Sequence, residues 1–312
     1  MNRVYAIALN TLREAVRDRV LYAVCALAAF VLLSTRALAE LSLDQEHRVI
    51  VDLGTATISL FGVLVSLFLG SSLLYKEIER KTLYMVLPKP IHRHEFLVGK
   101  FFGIVLTGWT FVAITGAVFL LLLGTVAGGS ALLAVAIATG AALAIGALAR
   151  SAAAASSKLD PTMVVLAGAA LAFGMACAFC GSSGEVLAPH LRSMVLVAME
   201  VAVLTAVALF FSSFSTPFLT GALSAGIWIM GRSADTLQTI RSRLLPDEIK
   251  SLLRGLAEVV PNFNLFVPGT QTLGTGADAP WAYVFTSLGY GALYATALLA
   301  LASWIFRRRD LA

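Results

Sequence analysis

Charge is scarce in this chain. Of 312 residues only 13% are Asp, Glu, Lys or Arg, 59% are hydrophobic, and the mean hydropathy is +0.86. An ordinary soluble domain is excluded, because it has no means of hiding so much apolar surface from water. Cysteine is scarce too: Cys25, Cys177 and Cys180 all lie within apolar runs. That excludes the disulfide framework of a small secreted domain. A P-loop is missing, since Gly99-Lys100 is followed by Phe101 and lacks the upstream glycine. The chain therefore has no P-loop of its own for ATP. None of the four histidines, His47, His92, His94 and His190, lies within an apolar run, so an intramembrane haem is unsupported. His92 and His94 make an HxH with no further ligand group beside it in the sequence, which reads as a solvated turn. No catalytic residue, metal site or cofactor is assigned to this chain. The net charge of +5 does not imply nucleic acid, because the basic residues sit at the ends of apolar runs. Membrane topology accounts for them there.

What is present is a series of eight apolar runs: Val20–Ala39, Leu53–Tyr75, Phe96–Val126, Ala131–Ala149, Met163–Cys180, Met194–Phe211, Pro217–Met230 and Trp281–Phe306. A helix needs ~20 apolar residues to cross ~30 Å of hydrocarbon. The seventh run is short and needs its flanks to span. Strand-like alternation is missing, and lipid leaves the backbone to satisfy its own hydrogen bonds, so the runs are expected to be helices. The fold class is an all-α polytopic membrane protein of about eight transmembrane helices.

Charge sets the expected orientation. Arg3, Arg13, Arg17 and Arg19 hold residues 1–19 inside, and Arg307, Arg308 and Arg309 hold the C-terminus inside. The acidic loop Glu40–Asp52 suits the outside. Residues 76–100 and the turn with Arg150 and Lys158 suit the inside. Eight spans satisfy these signals with both termini cytoplasmic, in a cell inner membrane. Residues 232–280, basic as well as acidic, then fall outside as one extracytoplasmic segment. "RALAE" at Arg36–Glu40 resembles a signal-peptidase site, but the long lead-in and the further spans favour a retained first span.

Several stretches have a local reading. Residues 1–19 are amphipathic, with Tyr5, Leu9, Leu12 and Val16 at helical spacing. That suits a helix on the inner membrane surface. In the run 131–149, Ala134, Ala138, Ala142 and Gly146 share one face, and such a face lets another helix approach closely. Gly124 and Gly128 make one GxxxG. In "FSSFSTP", Ser215 or Thr216 caps the next helix and Pro217 takes its first turn. Between Pro246 and Val260 an amphipathic helix is expected, and "PNFNLFVPG" after it is expected to dip into the membrane interface. Cys177 and Cys180 share a helix face at i, i+3, as a membrane thiol oxidoreductase requires. No second cysteine pair exists to exchange electrons with them, and small apolar packing explains them more simply. Glu200 is the one carboxylate well inside an apolar run. It accepts a proton, touches substrate or pairs with a basic group, or else it hydrogen-bonds to a neighbouring helix.

The scarce charge concentrates in Lys76–Lys100, with six basic and three acidic residues. The segment continues from an apolar run and mixes charge with Ile78, Leu83, Met85, Val86 and Leu87. It stops at Pro88-Lys89-Pro90, where proline ends a helix. A short helix with an apolar side and a rigid stop is a docking element.

Glu77, Glu79, Thr82, Leu83, Leu87, Pro90, Ile91, Arg93 and Lys100 carry a resemblance. The segment is similar to the coupling region of type-2 (ABC-2-like) exporter permeases, the membrane subunits of ATP-binding-cassette (ABC) transporters. That family reads roughly E-x-E-x-G-T-L-x-x-x-L-x-x-P-[IV]-x-R with a later lysine. The chain departs at the glycine, which is Lys81 here. "FSSFSTPFLTGALSAGIWIMGR" and "LYATALLALASWIFRRRDL" resemble further stretches of the family, as does the amphipathic N-terminus.

The resemblance implies one permease domain over 1–312. It would comprise a six-helix core, an N-terminal interfacial helix at 1–19, a cytoplasmic coupling region at 76–95, and an extra hairpin at 131–180. It implies two cytoplasmic ABC ATPase subunits, which hold ATP and Mg, and a second permease copy, in a homodimer or related heterodimer within the lipid bilayer. Glu77, Glu79, Arg80, Thr82, Leu83, Leu87, Pro88, Pro90 and Arg93 would couple to the ATPase. The chain itself would be no enzyme. Rival readings are an ABC-type mechanotransmission scaffold that acts on an extracytoplasmic partner without transport, and a membrane-embedded lipid or thiol enzyme.

Overall fold

The computed structural model describes residues 2–42, 45–79, 93–154, 161–238, 258–267 and 280–308, with Ser251 and Gly255. Among these residues there is helix and no β-strand. The helices are α1 (Asn2–Val16), α2 (Arg19–Glu40), α3 (Glu46–Glu79), α4 (Arg93–Val126), α5 (Ala131–Ala154), α6 (Pro161–Ser182), α7 (Leu187–Ser212), α8 (Pro217–Arg232), the short α9 (Ala234–Gln238) and α10 (Trp281–Arg308). A single 3-10 turn covers Phe263–Phe266. Each of the eight apolar runs lies on one of these helices. Six described stretches are long and apolar enough to cross a membrane: Val20–Glu40, Glu46–Ser72, His94–Val126, Thr162–Ser182, Leu187–Ser212 and Trp281–Ile305. The protein is a multi-pass, all-α membrane protein. The α8 helix is shorter, at 16 residues. The α2 helix runs unbroken through Ala37–Glu40, so the stretch resembling a cleavage site is helical.

Several threonine hydroxyls inside these helices are satisfied locally. Thr35 donates to the Leu32 carbonyl at 2.6 Å, Thr115 to Phe111 at 2.8 Å and Thr205 to Val201 at 2.8 Å. A hydroxyl that bonds back to the preceding turn carries no exposed donor into hydrocarbon.

The chain divides into two compact units. One comprises Leu9–Val65 and Gly103–Met194. In it α5 packs against α6, and glycines of α4 let α6 approach. A Cβ at Gly124 would lie 2.8 Å from the Phe179 ring and 3.2 Å from Cys180 Cα. The GxxxG is thus used within the chain and only in part, because Gly128 lies past the helix with φ +103. Just beyond it, Gly129 leaves no room for a side chain beside Ser183 and Phe179. The ends of α4 and α6 therefore meet. On α5 the side turned inward carries Ala134, Ile137 and Ala141, while Ala138 and Ala142 are exposed. The expected 134/138/142 face is not the one that packs here. The physical reason is pitch: at 3.6 residues per turn, spacings of three and four alternate along a contact line.

The other unit comprises Met1–Ala8, Ser66–Phe102 and Val195–Ala312. Here Gly99 of α4 faces α1, and a Cβ on it would lie 2.7 Å from Ile7 Cβ. Gly70 likewise faces Ala208, with 2.5 Å to its Cβ. The turn before α8 follows expectation in its proline and not in its cap. Pro217 takes the first turn, but Thr216 makes no side-chain cap bond. Ser215 instead donates to the Phe211 carbonyl at 2.8 Å or shares a hydrogen bond with Thr220 Oγ1 at 2.7 Å.

The stretch "PNFNLFV" buries its two rings within its unit. Phe263 and Phe266 are both 0% exposed. Phe263 fills the space left by Gly231 of α8, and the Phe266 ring lies 3.1 Å from where a Gly291 Cβ would be on α10. Two aromatic rings fitted to two glycines bury more apolar area than an interfacial site would. Most of the helix expected over Pro246–Val260 lies outside the described residues.

Filling the Gly124 gap tests the hairpin packing. Gly124→Leu is expected to destabilise the protein by about 1–3 kcal/mol through overpacking. Gly140→Ala, at a site with nothing within 4 Å, should leave the thermal unfolding midpoint in detergent unchanged or slightly raised.

Candidate functional site

The residues expected to couple to an ATPase bracket a gap in the described chain. Glu77 and Glu79 lie in the last turn of α3, and Arg93 begins α4. Arg80, Thr82, Leu83, Leu87, Pro88 and Pro90 lie outside the described residues, as do Lys81 and His92. The expected run of helix past the apolar run is observed, because α3 continues beyond Tyr75 to Glu79. Two turns into α4, Lys100 is 1% exposed, with its Nζ 5.6 Å from the centre of the Phe96 ring. A cation over a ring face is attracted by the ring quadrupole.

Glu200 sits in the middle of α7 and is fully buried. Its Oε1 accepts from Trp228 Nε1 at 2.9 Å and from Arg232 Nη1 at 3.1 Å, both on α8. Arg232 also lies 5.7 Å from the Trp228 ring. Trp228 and Arg232 are one turn apart, so the two donors reach the carboxylate from one face of α8. Of the sequence readings, the pairing with a basic group and the bond to a neighbouring helix are the ones observed. The pairing with Arg232 was not legible, because 32 residues separate the partners and no local pattern joins them.

Just past α8, Asp235 holds the irregular segment. It accepts from Asn262 Nδ2 at 2.9 Å and Asn264 Nδ2 at 3.0 Å. The backbone N–H of Asn262 donates to the Tyr290 hydroxyl at 3.0 Å, and Tyr283 donates to the Leu265 carbonyl at 2.7 Å. Non-helical backbone near a membrane requires partners of this kind.

A third cluster lies in the unit that holds α5 and α6, and sequence reading missed it. His47, in the first turn of α3, and His190, in the first turn of α7, both reach Glu185 in the α6–α7 turn. Their Nε2 atoms lie 2.8 and 3.0 Å from the same Glu185 Oε1. Burial raises the Glu185 pKa, but the two histidine hydrogen bonds and charges outweigh it, and the carboxyl is held below the usual range. The only sequence signal was three titratable groups flanking apolar runs, with His47 and Glu185 138 residues apart. Near the end of α2, Arg36 pairs with Glu40 at 3.4 Å and Glu46 at 3.3 Å. Cys180 is buried against α4, whereas Cys177 is half-exposed, and both are free thiols.

No protein-family model matches the chain, and no curated protein sequence does either.

Removing a charged partner from a buried pair costs roughly 3–5 kcal/mol. Arg232 is 28% exposed, so Arg232→Met should fall at or below the lower end of that range. Glu200→Gln combined with Arg232→Met should recover most of the loss. Denaturant unfolding of the single and double variants in detergent would measure the coupling.

Proposed function

We propose that the chain is the permease subunit of an ATP-driven exporter of the type-2 ABC class. Separate cytoplasmic ATPase subunits, two per transporter, would bind and hydrolyse ATP with Mg. A second permease copy would complete the path through the inner membrane. The observation that carries this reading is the continuity of α3 and α4. Each is a single helix of 34 residues, about 50 Å at 1.5 Å per residue. A hydrocarbon core takes up ~30 Å of that length. Both helices therefore overhang, and the charged motif joins the overhangs. Force applied between Glu79 and Arg93 would reach the spans along two stiff rods. The Pro88-Lys89-Pro90 stop keeps the joint from absorbing the displacement.

The mechanism is mechanical. Closure of the ATPases on ATP displaces the motif, with Glu79 and Arg80 pairing with ATPase charges and Leu83 and Leu87 seated in a groove. The movement reaches α1 through the close approach of Gly99 to Ile7. Access between the two permease copies then changes, and hydrolysis resets it. In this reading Glu200 acts as a brace that ties α8 to α7, rather than as a free contact on the substrate path.

We also infer eight crossings, with both termini cytoplasmic. The support lies within one unit. The end of α4 meets the end of α6 at Gly124 and Phe179, and α5 packs along α6. A chain that leaves and returns to the same end through two helices of 24 and 22 residues crosses twice. The extra hairpin is then a complete membrane excursion added to a six-helix core.

Changing Leu83 and Leu87 together to Asp should abolish co-purification of the ATPase. Retained binding and activity would sink the assignment. Gly99→Val should leave the ATPase bound while lowering substrate-stimulated ATP turnover in proteoliposomes, because the added methyls displace Ile7. ATP turnover that responds to an extracytoplasmic protein and to no transported solute would favour the mechanotransmission reading.

A further inference from the structure

We propose that His47, Glu185 and His190 form a binding site for a divalent transition-metal ion of the zinc class, which clamps the start of α3 to the α6–α7 turn. The three ligand atoms lie within 4.8 Å of one another. They come from two places far apart in sequence, so the fold and not local chain geometry brings them together. The donor set is two imidazoles and one carboxylate. That set suits zinc, and three protein ligands leave a fourth position for water. Calcium and magnesium prefer oxygen ligands alone.

Three features prepare the site. Gly184 has φ +89, a left-handed turn that delivers Glu185 immediately after α6. His190 is 7% exposed, and its ring meets the edge of Phe119 at 5.9 Å between centroids. Phe119 is itself fully buried and lies over Gly54, two turns along α3 from His47, where a side chain would clash. One ring thus fixes His190 and sets its distance from α3. His47 is 51% exposed, so an ion has a route from solvent. Tetrahedral zinc with bonds near 2.1 Å separates its ligand atoms by about 3.3 Å. The two histidine nitrogens need to retreat a few tenths of an ångström from Glu185 Oε1 and, lying within 4.8 Å of each other, to close by up to about 1.5 Å. Side-chain rotation supplies movement on that scale.

Both histidines lie near the start of an apolar helix, since His47 is in the first turn of α3 and His190 is one turn into α7. The clamp would join the α2–α3 connection to the α6–α7 connection. It would therefore fasten the hairpin of α5 and α6 to the start of α3, in the unit where all of these residues lie. This role is independent of what the permease reading assigns to residues 76–100.

The test uses the full-length protein in detergent, with any affinity tag removed. Zinc binding is measured by competition with a chromogenic chelator, and cobalt substitution is followed by its visible absorption. The expected result is one ion per chain, a tetrahedral cobalt spectrum, and a higher unfolding midpoint with zinc. His47→Ala and Glu185→Gln should each weaken binding by roughly 100-fold or more, since loss of a supporting residue alone costs 10–100-fold. His47→Cys keeps a ligand at an exposed position and should restore binding, which separates metal loss from misfolding. His92→Ala with His94→Ala should leave the stoichiometry at one. No bound ion, or an ion retained when His47 and His190 are both replaced by Ala, would overturn the proposal. A cluster that shifts stability with pH but not with zinc would overturn it equally, and would be an ion-pair switch.

Discussion

Hydrocarbon offers no hydrogen-bond partner, and that constraint governs the rest of the structure. Every backbone group in a spanning segment must be satisfied within the segment, so helices are the outcome for each apolar run. The same constraint acts on side chains. Threonine hydroxyls fold back on the preceding turn, as at Thr35, Thr115 and Thr205. Where a charge enters, it enters with company: Glu200 meets Arg232 and the Trp228 indole. Where the backbone leaves the helix, at Asn262–Phe266, two tyrosines bond backbone groups and Asp235 takes up the two asparagine side chains.

Close approach is the second theme, and glycine permits it. Gly124 admits Phe179, Gly99 admits Ile7, Gly231 admits Phe263, and Gly54 admits Phe119. With lipid on the outside, helices gain little from hiding apolar surface from one another. Packing contact and small residues then carry association. Fitting a ring into a glycine gap gives a large contact area at a fixed orientation, which also positions the polar groups nearby. Phe119 does this for His190.

These arrangements bear on how the protein would work. The α3 and α4 helices are unbroken over 34 residues each, a length that suits transmission of displacement better than any local chemistry. The ion pair on α7 and α8 and the histidine cluster at the start of α7 both restrain helices at one end. A protein built to move as rods needs such fixed points, because displacement of an unrestrained helix would dissipate in lipid.

Much of the fold was legible in the sequence. Run length and apolarity located every helix that carries an apolar run, and Pro217 marked the start of α8. The amphipathic reading of residues 1–19 gave a helix, as observed over Asn2–Val16. The charged motif could be read, and its described flanking residues Glu77, Glu79 and Arg93 lie on helix, though its centre lies outside the described residues. Less legible were the partners. Composition suggested the face of Ala134, Ala138 and Ala142, whereas packing turned Ala134, Ile137 and Ala141 inward. The asparagines and prolines of "PNFNLFVPG" argued against a spanning helix, but they did not show that its rings fill glycine gaps. The sequence by itself determined that the chain crosses the membrane repeatedly as helices, because hydropathy and backbone satisfaction are properties of each segment alone. Only the tertiary structure decided that Glu200 meets Arg232 and that His47 meets Glu185 and His190. Those meetings depend on which helix ends come together, and a segment's own composition carries no record of its neighbours.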